Sequence, residues 1–327
     1  MRVLYIGGTG EISFSCIQES VRAGHNVCVY NRGNHNAGLP ASVQHIKGDV
    51  NDDAAYATLA AMKFDAICQF RVFTPEQLQP DIELFAGKAA QYVFISSESA
   101  YKRPLQHWVI TEDVPLGNPF NAYSRGKAEC EMALRGQSRL PYTIVRPGHT
   151  LRFRIVSPFQ LGALTARRML AGRPLVVPGD GNNLWTITYC DDFAPPFVRL
   201  LGNEAALNDH FHLTSDNAYS WNEIHRATAK ALGAPPLEMV HVPSETLIRY
   251  HPPWEEWLFG DNGYSVTFDN SKVKSVVGDF DCPTTLDELM ARTVGEFLGR
   301  GGLDEDVDLK FEALFDRIVA DQSGLGR

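Results

Sequence analysis

The sequence predicts an α/β protein, a doubly wound parallel sheet followed by a smaller C-terminal α/β lobe. Three observations point there. A short apolar run, Arg2-Val3-Leu4-Tyr5-Ile6, leads straight into the glycine turn Gly7-Gly8-Thr9-Gly10. Apolar runs at Val43–Ile46, Ala66–Phe70, Tyr92–Ser96 and Tyr142–Val145 then alternate with helical stretches near 52–62, 76–90 and 122–136. That alternation is the mark of βαβ units and a parallel sheet covered on both faces. After Arg146-Pro147-Gly148 the rhythm loosens and proline, glycine and aromatic residues become more frequent. Residues 1–150 therefore build the sheet. Residues 151–327 form mainly the smaller lobe and C-terminal helices, with some later segments returning to the sheet.

Taken in order, the first run reads as a buried strand and 11–23 as a helix closed by Gly24-His25. Val27-Cys28-Val29-Tyr30 reads as the second strand. Strand, glycine turn, helix and strand within roughly thirty residues is the dinucleotide-binding Rossmann context. Gly7 permits the tight turn, and Gly10 lets the backbone approach a pyrophosphate at the helix N-terminus, beside Glu11 and Ile12. Ser13 stands at the third glycine position of the usual pattern. At the end of the second strand, where an acid would meet the ribose of NAD, the chain has Asn31-Arg32-Gly33. Arg32 can pair with a 2′-phosphate, so the expected cofactor is NADP(H), otherwise NAD. Asp49 and Val50, after the third strand, are placed for the adenine.

In the second half, short strands are expected at Leu175–Val177, His210–Leu213 and Met239–Val242, and helices near 158–171, 191–201, 220–232 and 284–299. Leu309, Phe311, Leu314, Phe315 and Ile318 recur at helical spacing in the tail, which predicts an amphipathic helix packed on the body or on a partner subunit. The chain has 327 residues and a formal net charge of -9, against a general affinity for nucleic acid. It carries no apolar run of transmembrane length and no signal peptide, so a cytoplasmic protein with no membrane partner is expected. Six scattered cysteines show no metal-like spacing, and no metal is expected.

The chemistry concentrates in two places. Tyr92-Val93-Phe94-Ile95-Ser96-Ser97 is a strand ending in hydroxyls, and Tyr123-Ser124-Arg125-Gly126-Lys127 places a tyrosine and a lysine one helical turn apart. An ammonium beside a phenol favours the phenolate, which brings a group that titrates near ~10 towards neutral pH. In this order the glycine loop, Ser97, the Tyr-x-x-x-Lys run, Val145-Arg146-Pro147-Gly148, Gly179-Asp180-Gly181 and Asp191-Asp192-Phe193-Ala194 resemble the extended short-chain dehydrogenase/reductases of the NAD-dependent epimerase/dehydratase family. The resemblance implies that Ser97 hydrogen-bonds the substrate oxygen and Tyr123 exchanges the hydroxyl proton. It implies that Lys127 holds the nicotinamide ribose and lowers the tyrosine pKa. Phe70 and Pro147 join the cofactor contacts, and a homodimer through the helix carrying Tyr123 is implied.

Departures from the family pattern narrow the reaction. The acidic pair of the dehydratases is Glu98-Ser99 here, so the second acid is missing and a dehydratase is not expected. His149 replaces a frequent asparagine, and Trp185 stands where an arginine often clamps diphosphate. Glu98, His149 and Trp185 are the candidate substrate contacts. The expected activity is hydride transfer at a secondary alcohol or ketone of a small metabolite, by reduction, oxidation or epimerisation. A nucleotide-sugar 4-epimerase is the alternative within the class. Outside it stands a non-catalytic or RNA-binding protein on the same fold, similar to chloroplast stem-loop-binding proteins.

Overall fold

The computed structural model describes residues 1–325. Seven strands form one parallel sheet. Five come from the first third of the chain: β1 (Arg2–Ile6), β2 (Asn26–Asn31), β3 (Gln44–Lys47), β4 (Phe64–Gln69) and β5 (Ala89–Ile95). From edge to edge the order is Asp209–Leu213, Tyr142–Pro147, β5, β4, β1, β2, β3. The order reverses between β1 and β4, which opens a crevice at their C-terminal ends, where ligands of such sheets bind. The strand Asp209–Leu213 and the helix Cys190–Leu200 reach the sheet from beyond residue 151.

Period two divides the sheet's side chains between two faces. Val3, Tyr5, Val27 and Val29 pack with Phe193 and Phe197 of the helix Cys190–Leu200. Leu4, Ile6, Tyr30 and Tyr92 pack on the opposite face with Leu78, Ile82, Cys130 and Leu134. The helices of that second face include α3 (Pro75–Phe85) and α4 (Ala122–Arg135); α1 (Glu11–Arg22) lies on the first face, and α2 is the short Asp53–Ala57. Asn121 caps α4 by accepting the Ser124 N–H at 3.0 Å.

Boundaries shift where backbone chemistry intervenes. The helix expected over 76–90 ends at Phe85, and Gly87 with φ +69° turns the chain into β5. The helix expected from 158 begins at Gly162, after Pro158 and a Gln160 held at φ 59°. The segment 52–62 is α2 followed by a 3₁₀ turn, Thr58–Ala61.

The smaller lobe holds a three-stranded sheet (Ala218–Ser220, Leu184–Tyr189, His149–Leu151) and a strand pair, Leu175–Pro178 with Met239–Val242. The tail helix Leu309–Leu325 packs on the body: Phe315 and Ile318 join Phe159, Trp254 and Leu258 in one apolar cluster. Arg168 pairs with both Glu312 and Asp316 at 3.0 Å.

Candidate active site

The glycine turn lines an open groove of about 440 Å³ at the β1/β4 crevice, whose rim includes Gly7, Gly10, Glu11, Ile12, Asn31, Arg32, Asp49, Val50 and Phe70. Glycine is required at the turn itself: Gly8 has φ +74°, and a Cβ there would stand 2.5 Å from Val29 Cγ1. Ser13 fits the third position because its hydroxyl accepts the Gly10 N–H at 3.0 Å, closing the first turn of α1.

The rim residues differ in what they have free. Asn31 is occupied within the protein: its amide donates to Gly7 O (3.2 Å) and its oxygen accepts from Gly33 N (2.8 Å), so it braces the turn. Glu11 accepts the Phe153 N–H at 3.0 Å, tying α1 to the smaller lobe, and burial raises its pKa. Asp49 accepts from the Asn51 backbone and side chain, both at 3.0 Å. Arg32 is exposed on the rim, and Arg71 and Arg154 join it there. Three guanidiniums around glycine amides suit a polyanionic ligand. Pro147 is buried at the end of its strand and is absent from the rim.

Ser97 sits just past β5 and Tyr123 in the first turn of α4. The Ser97 hydroxyl accepts the Ser99 N–H at 3.2 Å, capping a 3₁₀ turn. Tyr123 lies near the surface, and its ring packs at 6.0 Å on Phe73. Lys127, one turn on, is 2% exposed and donates to Val72 O (2.7 Å) and Ile95 O (2.6 Å). Gly126 makes that reach possible: a Cβ on it would meet Phe73 O at 2.3 Å, so only glycine lets α4 approach the loop after β4.

The electrostatics correct the expectation that Lys127 primes the phenol. Burial pushes the Lys127 ammonium down to about 7. Although Tyr123 as a whole is 43% exposed, loss of water around its hydroxyl raises the phenol to about 12; the contact with Ser97 lowers it, and the carboxyls of Glu98 and Asp261 raise it further. Lys127 Nζ lies 5.7 Å from the centroid of the tyrosine ring, and its bonds go to two neutral carbonyls. Helical spacing brings the two residues together, but the ammonium is committed elsewhere.

Glu98 is 4% exposed and pairs with Arg103 at 2.9 Å. The same Arg103 nitrogen meets Asp261 at 3.0 Å, and the two carboxyls hydrogen-bond each other. Asp261 comes from the far lobe, and no local pattern announces it. The segment that lacks a second acid in sequence thus has one beside it in space. Of the other expected substrate contacts, His149 is half-buried, with its pKa lowered to about 4 by burial and by Arg154, so it is neutral. Trp185 corrects the sequence reading: it is 1% exposed and stacks on Trp221 at 5.6 Å inside the lobe, leaving no face for a substrate. Among the described residues no group of acidic, histidine and cysteine side chains is arranged to hold a metal ion. Nor is any helix among them long and apolar enough to cross a membrane.

Residues 82–213, which carry β5, Ser97, Tyr123 and Lys127, match the model of the NAD dependent epimerase/dehydratase family. Over that stretch, which is less than half of the chain, the protein is similar to the family. It is 28% identical over 259 residues to the chloroplast stem-loop binding protein of 41 kDa b from Arabidopsis thaliana, covering 73% of this chain but only 65% of that protein. It is 28% identical over 253 residues to a 2′-dehydrokanamycin reductase from Streptomyces kanamyceticus, covering 75% of this chain and 70% of the relative. A UDP-glucose 4-epimerase from Mycolicibacterium smegmatis is 25% identical, with 91% and 98% covered. The fold is that of the Bifidobacterium longum UDP-glucose 4-epimerase, solved with NAD+ and UDP, at a TM-score of 0.73, 19% identity and 93% and 99% coverage.

Proposed function

We propose that the protein is an NADP(H)-linked oxidoreductase acting at a secondary alcohol or ketone of a small metabolite. The observation that carries this reading is the pairing of an arginine-rimmed glycine groove with Ser97 and Tyr123 at the neighbouring strand end. The bound nicotinamide would supply or accept the hydride. Gly7, Gly10 and the α1 N-terminus would hold its pyrophosphate, and Arg32 its 2′-phosphate. Ser97 donates a hydrogen bond to the substrate oxygen, and Tyr123 gives or takes the hydroxyl proton. Lys127 anchors α4 to the loop after β4, and its remaining hydrogen-bonding capacity is available to the cofactor ribose.

The test is NADPH oxidation with a panel of small ketones. Tyr123→Phe is expected to reduce turnover on the order of 10²–10⁴-fold, and near-full turnover in that variant removes Tyr123 from the chemistry. Arg32→Ala is expected to weaken NADPH relative to NADH by about tenfold or more. Equal losses for both cofactors would leave the 2′-phosphate without its partner.

The similarity to UDP-glucose 4-epimerases over almost the whole chain favours a second reading, epimerisation of a nucleotide sugar. That activity runs with cofactor in catalytic amounts, whereas a reductase consumes it stoichiometrically. With Trp185 inside the lobe and Arg103 engaged by two carboxyls, Arg154 is the candidate to meet a substrate diphosphate. We further propose a homodimer through α3 and α4, which light scattering in solution would test.

A further inference from the structure

Three serine hydroxyls run in line from α4 to the end of β5. Ser124 donates its hydroxyl to Ser99 Oγ at 2.9 Å. Ser99 Oγ lies 2.9 Å from Ser97 Oγ, and the Ser99 backbone N–H also donates to Ser97 Oγ, at 3.2 Å. Ser124 is 0% exposed and its N–H is held by Asn121. The Ser99 carbonyl accepts from Asn118, whose amide also donates to Gly260 O, so the smaller lobe braces the same turn.

A hydroxyl has one proton to donate and two lone pairs to accept with. Because Ser99 accepts from Ser124, its own proton has Ser97 Oγ as its partner. The opposite polarity would leave a donor unmatched on a residue that is 8% exposed, a costly arrangement. With Ser99 donating, both lone pairs of Ser97 are filled, by the Ser99 N–H and O–H. What Ser97 retains is its proton. Ser97 is also the neighbour that favours the ionised Tyr123 phenol, as a hydroxyl with a proton to give would.

We propose that Ser99 and Ser124 are positioning residues, which polarise Ser97 as an obligate hydrogen-bond donor to the oxygen at the reacting centre. The proposal rests on the roles given above to Ser97 and Tyr123. No bond is made or broken along the relay; it fixes the direction in which Ser97 points its proton. That direction suits a carbonyl or alkoxide oxygen, which accepts, and resists an approach that needs Ser97 to accept. The charged and titratable groups facing the phenol are Glu98 from the turn after β5, Asp261 with Arg103 from the lobe side, and Lys127 one turn along α4. None of them bonds to Ser99 or Ser124.

The test reads the tyrosine directly and needs no substrate. In protein labelled with ¹³Cζ-tyrosine, the Tyr123 signal is identified by its loss in Tyr123→Phe, and the remaining ten of the eleven tyrosines serve as internal controls. At pH 8, Ser97→Ala and Ser99→Ala are expected to move the Tyr123 signal in the same direction and by similar amounts. Ser124→Ala moves it part way, and Ser99→Thr restores the wild-type position. In an alkaline titration the first two variants raise the phenol's ionisation midpoint, by about one unit for a tenfold change in its constant. If Ser97→Ala moves the signal and Ser99→Ala leaves it in place, the relay is overturned. A signal indifferent to Ser97→Ala overturns it equally. Should Ser99→Ala disturb the other tyrosines, Ser124→Ala decides, since it leaves the backbone bonds of the turn intact; an unmoved Tyr123 signal in that variant ends the proposal. Failure of the functional reading is seen separately, as NADPH that does not bind the wild-type protein.

Discussion

Arg146 and Arg103 are both buried, at 1% and 2% exposure, yet they are matched to carboxylates in opposite ways. Arg146 forks onto one carboxylate, with Nε at 2.9 Å and Nη2 at 2.6 Å from Glu131. Ser96 and Arg135 complete the same group at 2.6 and 3.1 Å. Strand and helix α4 are thereby joined through a pair whose buried charges balance one to one, with the part-exposed Arg135 at its edge. Arg103 instead offers one nitrogen to two neighbouring carboxyls, Glu98 from the turn after β5 and Asp261 from the smaller lobe. Burial raises both acids and the charge of Asp261 raises Glu98 further, so one guanidinium leaves a proton to be shared. Lys127 is a third buried cation, with carbonyls for partners, and burial depresses it to about 7. The balanced pair is scaffold. The two unbalanced sites both lie against Tyr123, where a change of protonation reaches the chemistry.

Breaking the balanced pair is expected to cost most. Glu131→Ala strands Arg146 in the interior and should lower stability by about 3–5 kcal/mol in denaturant unfolding. A loss under about 1 kcal/mol would show that the pair is not what fastens α4 to the sheet. Arg103→Met should cost less, about 2–3 kcal/mol at pH 8, because its two carboxyls can take up protons. The sign follows from the raised pKa of each acid: stability is fully present below the unfolded carboxylate values and is lost as pH rises through the folded ones. The deficit of Arg103→Met should therefore shrink towards pH 5, and a deficit independent of pH would contradict the shared proton.

Lys127 supplies the opposite slope. Its folded pKa lies below the unfolded value, so the unfolded chain binds more protons between about 7 and 10.5, and stability should rise with pH across that window. The slope is at most about 1.4 kcal/mol per pH unit, and it should vanish in Lys127→Met. Unfolding curves at pH 7 and 9 decide it: equal slopes in both proteins would mean that the ammonium stays charged in the fold. Asp261→Asn should have the smallest effect on stability, within about 1 kcal/mol, because Glu98 and Arg103 are left as a matched pair. It should nonetheless lower the Tyr123 midpoint, since one of the two carboxyls that raise it is gone.

The parts of this site that were legible in the sequence are the local ones. Gly7, Gly10 and Ser13 follow a strand and open a helix within a few residues, so their turn is dictated by near neighbours. Tyr123 and Lys127 share a helical face by spacing alone. Asp261 was not legible, because it stands 158 residues from the arginine that binds it. Trp185 was misread for a related reason: its position in a family pattern carries no information about the indole of Trp221 that covers it. Asn31 ends β2 as expected, yet its amide is consumed by the backbone of Gly7 and Gly33, a demand set by the loop packed beside it.

By itself, the amino-acid order determined the succession of strands and helices, the glycine turn, and the elements that carry Ser97, Tyr123 and Lys127. Periodicity, turn chemistry and capping act over a few residues and leave their mark in the chain. The tertiary structure alone decided the charge state of that equipment. Desolvation and the nearness of Glu98, Asp261 and Ser97 depend on two lobes closing over one strand end. A pKa belongs to an environment, and an environment exists only once distant segments have met.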